Sequence, residues 1–231
     1  MSFAAANTVY EEKRYDEAVK LFGAYVERKP ENPWGHHMLG LSAWKSGDRG
    51  RAELAFRDAL NLDSSFVKSR YGLTRVLLEN GKADEALQQA RTAIAIDSTA
   101  GEGFRLLGRA SFASGDVDGA IKAYVHAIVL DGNDGWSLNN LGLVYVGQQR
   151  FEDAIGPLAR ATEVAPGVPA FWNNLGQTLE RSGRIVQAAD AYRTAQAKTS
   201  LSRVEGLKQD STIVPVDLTG AAQRFVETLG R

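Results

Sequence analysis

Apolar and small residues along this chain follow the spacing of a buried helical face. In the segment that begins at Gly101, the residues at positions i, i+3, i+4 and i+7 of such a face are Phe104, Leu107, Gly108 and Ser111. After a turn at Ser114 and Gly115, a second face of the same kind contains Ala120, Tyr124, Ala127 and Ile128. The segment therefore predicts two helices joined by a short turn, in which glycine can take the positive φ that ends the first helix.

The same two faces recur every 34 residues without an insertion. One ladder of alanines consists of Ala18, Ala52, Ala86, Ala120, Ala154 and Ala188. Seven residues later in each period stand Tyr25, Ala59, Ala93, Ala127, Ala161 and Ala195. A leucine followed by a small residue precedes them at Leu39-Gly40, Leu73-Thr74, Leu107-Gly108, Leu141-Gly142 and Leu175-Gly176. A fixed period of this length indicates a repeat protein whose units are supersecondary elements stacked on one another.

Six units fit the period, and each is expected to contain two helices. Their bounds are 1–32, 33–66, 67–100, 101–134, 135–168 and 169–202. The turn glycines within the units are Gly47, Gly81, Gly115 and Gly183. Lys13 and Gln149 take the same register in two units, so the turn does not require glycine everywhere. The second helix opens with an acidic residue, which offsets the positive end of the helix dipole, at Asp16, Asp84, Asp118 and Glu152.

The period, the two-helix unit and these residues resemble the tetratricopeptide repeat family over residues 1–202. The unit most similar to the family contains Trp172, Asn173, Asn174, Leu175, Gly176, Ala188, Tyr192 and Ala195. The resemblance implies an all-α fold, a right-handed α-solenoid of antiparallel helix pairs. It also implies that the first helix of each pair lines a concave groove. Alanine and glycine let the helices approach closely, while larger side chains fill the remaining space.

Residues 203–231 depart from the period and are interpreted as a C-terminal cap, a linker and an amphipathic helix. A short helix over 201–209 would cover the last repeat, as the end of a repeat array requires. Residues 211–216 are β-branched and contain Pro215, which predicts an extended linker. A final helix is predicted from an apolar stripe that consists of Leu218, Ala221, Ala222, Phe225, Val226 and Leu229.

Charge and composition exclude several classes of function. The chain has 231 residues, a net charge of −1 and no cysteine. Balanced charge gives no general attraction to nucleic acid or to anionic membranes, and no apolar stretch approaches the ~18 residues of a membrane span. The absence of cysteine excludes disulfides and thiol catalysis. Residues 1–6 do not read as a signal peptide. A cytoplasmic location is expected, or a periplasmic one where a signal peptide has been removed.

No constellation of residues predicts catalysis, a cofactor or a metal site. His36 and His37 are adjacent, so on a helix they point about 100° apart and do not chelate one ion together. His126 lies in a different unit, beside a core alanine. We therefore expect a structural or surface role for the three histidines and no intrinsic enzymatic activity.

The face of each first helix that adjoins the core stripe is the candidate binding surface. At one register it carries Tyr10, Trp44, Leu78, Phe112 and Val146, and at another Trp34 and Trp136. The predicted partner-binding residues are Lys68, Tyr71, Arg75, Arg105, Arg109, Phe112, Trp44, Trp136, Asn139 and Asn173. Aromatic rings supply anchoring area, arginines bind carboxylates through two parallel hydrogen bonds, and amides pair with peptide backbone. This combination favours an acidic protein or peptide segment as the ligand.

Two simpler interpretations of these residues stay open. Arg75 is four residues from Glu79, and Arg105 is three from Glu102, so ordinary ion pairs on a helix surface would account for them. Some tetratricopeptide domains clamp a C-terminal carboxylate with a lysine and an asparagine on one first helix. Here only Asn140 and Asn174 match that set, which argues against the clamp.

The sequence thus predicts a non-catalytic scaffold or adaptor that binds a partner protein in its concave groove. One alternative is a homo-oligomeric scaffold assembled through the C-terminal helix. Another is the recognition array of a larger enzyme, such as a glycosyltransferase. Neither nucleic acid nor membrane insertion is expected.

Overall fold

The computed structural model describes residues 2–203 and Phe225, and every regular element in them is an α-helix. The helices are α1 Phe3–Glu11, α2 Tyr15–Arg28, α3 Pro33–Ser46, α4 Arg49–Leu62, α5 Val67–Glu79, α6 Ala83–Ile96, α7 Gly101–Ala113, α8 Val117–Leu130, α9 Gly135–Gly147, α10 Phe151–Val164, α11 Pro169–Arg181 and α12 Ile185–Arg203. Odd-numbered helices are the first helices of the predicted repeats and even-numbered ones the second. The all-α helical repeat expected from the sequence is confirmed.

The backbone divides into two compact units, Met1–Asp116 and Val117–Arg231. The first unit contains α1 to α7, and the second contains α8 to α12. The division falls between the two helices of the fourth predicted repeat, and each unit is described below by itself. A single right-handed array over residues 1–202 stays a prediction.

The turns within the repeats share one backbone conformation. Glycines with φ between 72° and 92° are Gly47, Gly81, Gly115 and Gly183. Lys13 and Gln149 take the same left-handed conformation, with φ of 62° and 59°. The register therefore requires positive φ in each of these turns, although it does not require glycine. Acidic residues stand in the first turns of α2, α6, α8 and α10, as expected.

Both alanine ladders are buried. Ala52, Ala86 and Ala154 have no exposed surface, and Ala188 is 2% exposed. In the second ladder, the alanines from Ala59 onward are at most 1% exposed. These positions lie where neighbouring helices approach closely, so a side chain larger than a methyl group has no space.

In three repeats, the glycine after the ladder leucine lies under a large side chain of the second helix of the same repeat. A Cβ atom on Gly40 would lie 2.7 Å from the Phe56 ring, and one on Gly142 would lie 2.5 Å from Leu158 Cγ. A Cβ atom on Gly176 would lie 2.8 Å from the Tyr192 ring. Distances this short are not tolerated in packed proteins. The glycines therefore set how closely the two helices of a repeat pack.

The C-terminal predictions lie almost wholly outside the described residues. Helix α12 continues through Arg203, one residue past the last predicted repeat. The predicted linker over 211–216 and the helix from Leu218 to Leu229 are not described, apart from Phe225. Phe225 is helical, half-buried and packed against the core cluster of the second unit that contains Tyr124 and Ile128.

Two glycines of α9 provide a matched test of helix packing. Gly142→Ala places a methyl group against Leu158, and we expect it to reduce the free energy of unfolding by about 1–3 kcal/mol. Gly147→Ala meets no atom within 4 Å and should stabilise the protein by about 0.5–1 kcal/mol through helix propensity. Urea denaturation of both variants measures the difference. Equal effects of the two substitutions would contradict the packing described here.

The turn at Gln149 provides a second test. Gln149→Gly removes the steric cost of positive φ, about 1–2 kcal/mol for a residue with a Cβ atom, and should raise the melting temperature. Gly81→Ala imposes the same cost in a turn where a Cβ atom meets nothing within 4 Å, and should lower it. Opposite shifts, measured by thermal denaturation, are the expected result. A lower melting temperature for Gln149→Gly would show that the glutamine side chain stabilises the turn by more than the strain costs.

Candidate functional site

Eight of the residues singled out from the sequence lie on three successive first helices of the first unit. We call them the basic–aromatic patch: Trp34, Trp44, Lys68, Tyr71, Arg75, Arg105, Arg109 and Phe112. Helix α3 contacts α5, and α5 contacts α7, so the 34-residue period brings equivalent positions of these helices side by side. The patch is thus built by the stacking of repeats.

Trp34 gives the patch an exposed aromatic surface. Its side chain is 46% exposed although its ring lies 4.7 Å from that of Phe66 and 5.7 Å from that of His37. Lys68 Nζ lies 5.2 Å from the centre of the Trp34 ring, within the range of a cation–π interaction. Phe112, on α7, is 48% exposed. Both rings therefore offer apolar area to a ligand.

Trp44 is held by a hydrogen bond from its indole nitrogen and lies against the guanidinium of Arg75. Its Nε1 donates a hydrogen bond of 2.9 Å to Glu79 Oε1, and Arg49 Nε donates one of 3.1 Å to the other oxygen of Glu79. Arg75 Cζ lies 5.8 Å from the centre of the Trp44 ring. The carboxylate of Glu79 is thus engaged by the tryptophan and by Arg49, not by Arg75 as the spacing along α5 suggested.

Arg75 lies at the centre of the patch. It pairs with Glu102, the first-turn acid of α7, and its side chain is 24% exposed. Burial lowers the pKa of Arg75, and repulsion from Arg105 and Arg109 lowers it further. The guanidinium nonetheless stays charged at neutral pH, since arginine is protonated under all ordinary conditions. Two arginines of α7, Arg105 and Arg109, are thus close enough to Arg75 to affect its charge.

Sequence reasoning did not include Glu102 among the site residues. An ion pair of Glu102 with Arg105, three residues away on the same helix, was one interpretation left open, and the structure shows Arg75 of the preceding repeat as a partner of Glu102. The two residues are separated by 27 positions, the separation at which several side chains of adjacent repeats meet. A search for opposite charges at this separation would have found the pair.

Tyr71 forms the floor of the patch and not its surface. It is 6% exposed and packs in a cluster with Ala93 and Leu106. Burial raises the pKa of its hydroxyl, which makes no hydrogen bond within the described part of the chain. A Cβ atom on Gly103 would lie 3.0 Å from this oxygen, so glycine leaves the hydroxyl its space. The sequence pattern predicted Leu107 as the core residue, but Leu106 is the more buried of the two, because its side chain covers the Tyr71 ring.

The two adjacent histidines have structural contacts. His37 is buried, and its Nδ1 lies 2.9 Å from Ser69 Oγ. Burial lowers the pKa of His37 to about 4, with smaller contributions from Lys68 and Arg75. His36 Nε2 lies 2.9 Å from the carbonyl oxygen of Pro30. Among residues 2–203 and Phe225, no group of three potential ligands could hold a metal ion.

The remaining predicted site residues belong to the second unit. Trp136 is 55% exposed and meets the ring of Phe171 edge to face at 5.0 Å. Asn139 is buried, and its Oδ1 accepts a 2.8 Å hydrogen bond from Asn174 Nδ2. Asn173 is exposed on α11. Asn139 therefore links α9 to α11, and this hydrogen bond occupies the amide oxygen that was predicted to bind the backbone of a ligand.

The burial of His37 predicts a pH dependence of stability. Its pKa in the folded chain, about 4, is lower than the usual 6.5, so the unfolded chain binds more protons between these values. The contribution of neutral His37 to the free energy of unfolding is fully present above pH 6.5, and it decreases by about 1–3 kcal/mol as the pH falls toward 4. His37→Gln should flatten this part of the curve, measured by urea denaturation across pH. His126→Gln, an exposed control, should follow the parent, and an equal slope in all three proteins would contradict the prediction.

The comparisons with known proteins agree on one family. A tetratricopeptide repeat profile matches residues 37–101 and 139–202, and a second TPR repeat profile matches residues 108–149. A search of curated protein sequences returns no significant match. Within the described residues, no helix is both long enough and apolar enough to cross a membrane.

Solved structures of tetratricopeptide repeat proteins share the fold. MamA from Desulfovibrio magneticus RS-1 superposes with a TM-score of 0.64 at 20% identity, covering 70% of this chain and 91% of its own. TTC0263 from Thermus thermophilus gives 0.63 at 20% identity, covering 87% and 100%. YrrB gives 0.56 at 21% identity, covering 78% and 92%. The first profile alone matches more than half of the chain, and with the helix pairs and their period it shows that this chain belongs to the tetratricopeptide repeat family.

Proposed function

We propose that this chain is a non-catalytic scaffold or adaptor that binds an acidic segment of a partner protein at the basic–aromatic patch. Tetratricopeptide repeats in general serve as scaffolds for protein–protein interactions. YrrB, one of the proteins similar in fold, is a tetratricopeptide repeat protein with an unusual peptide-binding site. The observation that carries the proposal is the gathering of cations around Arg75.

The charge of the patch favours a negatively charged ligand. Four cationic side chains, Lys68, Arg75, Arg105 and Arg109, come from adjacent faces of α5 and α7. Glu102 pairs with one of them, and Asp97 lies near enough to Tyr71 to raise the pKa of its hydroxyl. The patch is thus rich in cationic side chains, while the net charge of the whole chain is −1. An acidic segment would reduce the local repulsion as it binds.

The exposed aromatic rings supply the apolar part of the interface. Trp34 and Phe112 lie at the two ends of the patch, on α3 and α7, and each is about half exposed. Tryptophan and its aromatic relatives are frequent energetic centres of protein interfaces, because they bury a large area at low entropic cost. A segment long enough to contact both rings would also pass the arginines of α7.

The second unit offers less to a charged ligand. Asn139 and Asn174 are hydrogen-bonded to each other, and Trp136 rests against Phe171. The cationic residues of the proposed site all belong to the first unit. We therefore assign the principal contact surface to α3, α5 and α7, with Trp136 and Asn173 as secondary candidates in the second unit.

Charge reversal on α7 tests the proposed function. The partner is captured from the native cell with the full chain, and its interacting segment is synthesised and titrated against purified protein by calorimetry. Arg105→Glu combined with Arg109→Glu should weaken binding by more than about 2 kcal/mol if the contacts are desolvated. Binding of the parent should also weaken as salt rises, because screening acts on partly exposed charges.

A matched control is available in the same unit. Lys20→Glu combined with Arg91→Glu makes the same change in net charge on exposed positions of α2 and α6. This variant should bind as the parent does, and circular dichroism should show equal helicity in all three proteins. Parent-like binding by the α7 variant at low salt, with its helicity intact, would refute the assignment.

A further inference from the structure

We propose that the C-terminal segment of this chain, residues 217–231, binds in cis to the second unit, where Phe225 anchors it beside an apolar ridge of α8. The α8 ridge consists of Val117, Ile121, Val125 and Val129. This docking is independent of the function proposed above, which concerns the first unit. The segment is then an internal ligand of the second unit, which an external ligand of the same surface must displace.

The α8 ridge differs from the corresponding row of every other second helix. Its residues stand at positions i, i+4, i+8 and i+12, which form one row along a helix, and all four are apolar and β-branched. At the same register each of the other five second helices carries at least one charged residue. Among these are Glu27 in α2, Glu53 in α4, Arg91 in α6, Glu163 in α10 and Arg193 in α12. The α8 ridge therefore favours an apolar contact where the other repeats provide charge.

The first unit shows what a charged residue does at this register. Glu53 of α4 pairs with Lys82 of the next repeat at 2.8 Å. In the second unit Ile121 takes the register of Glu53, and Arg150 takes that of Lys82. Arg150 pairs instead with Asp153, three residues away, at 2.7 Å. The α8 ridge thus forms no equivalent ion pair and presents apolar side chains alone.

Phe225 connects the C-terminal segment to this part of the second unit. It is helical and half-buried, and it packs against the core cluster that contains Tyr124 and Ile128. The first three residues of the α8 ridge are partly buried against the same cluster. Val129, the last residue of the ridge, is 60% exposed. The ridge therefore extends beyond its covered part and offers further apolar area to a helix anchored at Phe225.

The sequence around Phe225 supplies the rest of an apolar face. Residues at positions i, i+3, i+4, i+7, i+8 and i+11 of the predicted helix are Leu218, Ala221, Ala222, Phe225, Val226 and Leu229. The two alanines would let this helix approach the row of β-branched residues closely, and the larger side chains would fill the space beside it. Gln223 and Glu227 fall on the opposite face, which suits contact with water.

The contact of Phe225 also distinguishes docking on α8 from covering the last repeat. The buried residues of α12 belong to a different cluster, formed by Ala188, Ala191 and Ala195 with residues of α10 and α11. Ile185 and Val186, at the start of α12, are 61% and 77% exposed. The anchor of the segment therefore lies away from α12, on the cluster that includes α8.

The connection is long enough for docking within one chain. Residues 204–224 separate the end of α12 from Phe225, and an extended chain of this length spans on the order of 70 Å. Helix α8 has 14 residues and is therefore about 21 Å long. A segment tethered in this way has an effective concentration on the order of 1 mM, far above that of a second copy in dilute solution. The chain's own segment is thus the favoured occupant.

Hydrogen exchange of the full chain tests whether the segment is docked. The amides of residues 218–229 should be protected in the parent. Val129→Glu places a charge on the exposed end of the α8 ridge and should accelerate their exchange at least about ten-fold. Val186→Glu makes the same change at a more exposed valine of α12 and should leave their exchange unchanged. Unprotected amides in the parent, or equal exchange in the two variants, would overturn the inference.

Methyl NMR of the full chain tests the place of docking. Phe225→Ala removes an aromatic ring and should shift the methyl signals of the α8 ridge. Glu227→Ala, on the opposite face of the predicted helix, should leave these signals nearly unchanged. If Phe225→Ala instead shifts signals of Ile185 and Val186 and spares the ridge, the segment covers the last repeat and the assignment to α8 is wrong.

Dilution separates docking in cis from exchange between two copies. A cis contact keeps the same protection of residues 218–229 over a roughly hundred-fold dilution, and sedimentation should give the mass of one chain throughout. Protection that is lost on dilution, together with twice that mass at the higher concentration, would show that a second copy supplies the segment. Binding at the basic–aromatic patch is measured separately, so the failure of either proposal leaves the other standing.

Discussion

Within each of the two units, the close approach of the two helices of a repeat is the constraint on which the rest of the structure depends. It is set by a glycine of the first helix that lies under a large side chain of the second, as in Gly40 under Phe56 and Gly142 under Leu158. The third repeat reverses the sizes: Thr74 replaces the glycine, and Ala90 stands at the register of the large side chain. The two facing side chains together must fill the space between the helices, so this exchange of sizes preserves the packing. Constant helix spacing then brings equivalent positions of successive first helices into the same relation, and the basic–aromatic patch follows from it.

The helices, their turns and the buried ladders could be predicted from the sequence because each depends on local spacing. An alanine every 34 residues with acidic residues at helix starts needs no knowledge of distant contacts. The turn at Gln149 was placed correctly for the same reason, although only the structure shows that it keeps positive φ without glycine. Leu106 escaped the prediction because its burial depends on Tyr71 of the preceding repeat. Local periodicity indicates which face of a helix is apolar, but a neighbouring repeat decides which residue at the edge of that face is covered.

The helical register of the candidate site could be read from the sequence, but the pairing of its side chains could not. The helical register placed Arg75, Arg105 and Arg109 on adjacent helices, and the structure agrees. One interpretation that the sequence left open paired Arg75 with Glu79, one turn away on its own helix. Arginine is long enough to reach the next repeat, however, and Glu79 is held by Trp44 and Arg49. A choice between two acids within reach depends on side-chain packing, which the pattern of a single helix does not contain.

Contacts between adjacent repeats of the first unit have two different electrostatic results. Burial raises the pKa of Glu53, but hydrogen bonds from Lys82, Arg57 and Asn80 outweigh it and lower the value to about 2. Several donors thus satisfy the carboxylate of Glu53, and these hydrogen bonds and ion pairs stabilise the packing of adjacent repeats. At Arg75 the ion pair with Glu102 lies beside like charges, because Arg105 and Arg109 repel the Arg75 guanidinium. Contacts between adjacent repeats therefore surround the carboxylate of Glu53 with donors, whereas at Arg75 they place one ion pair among like charges.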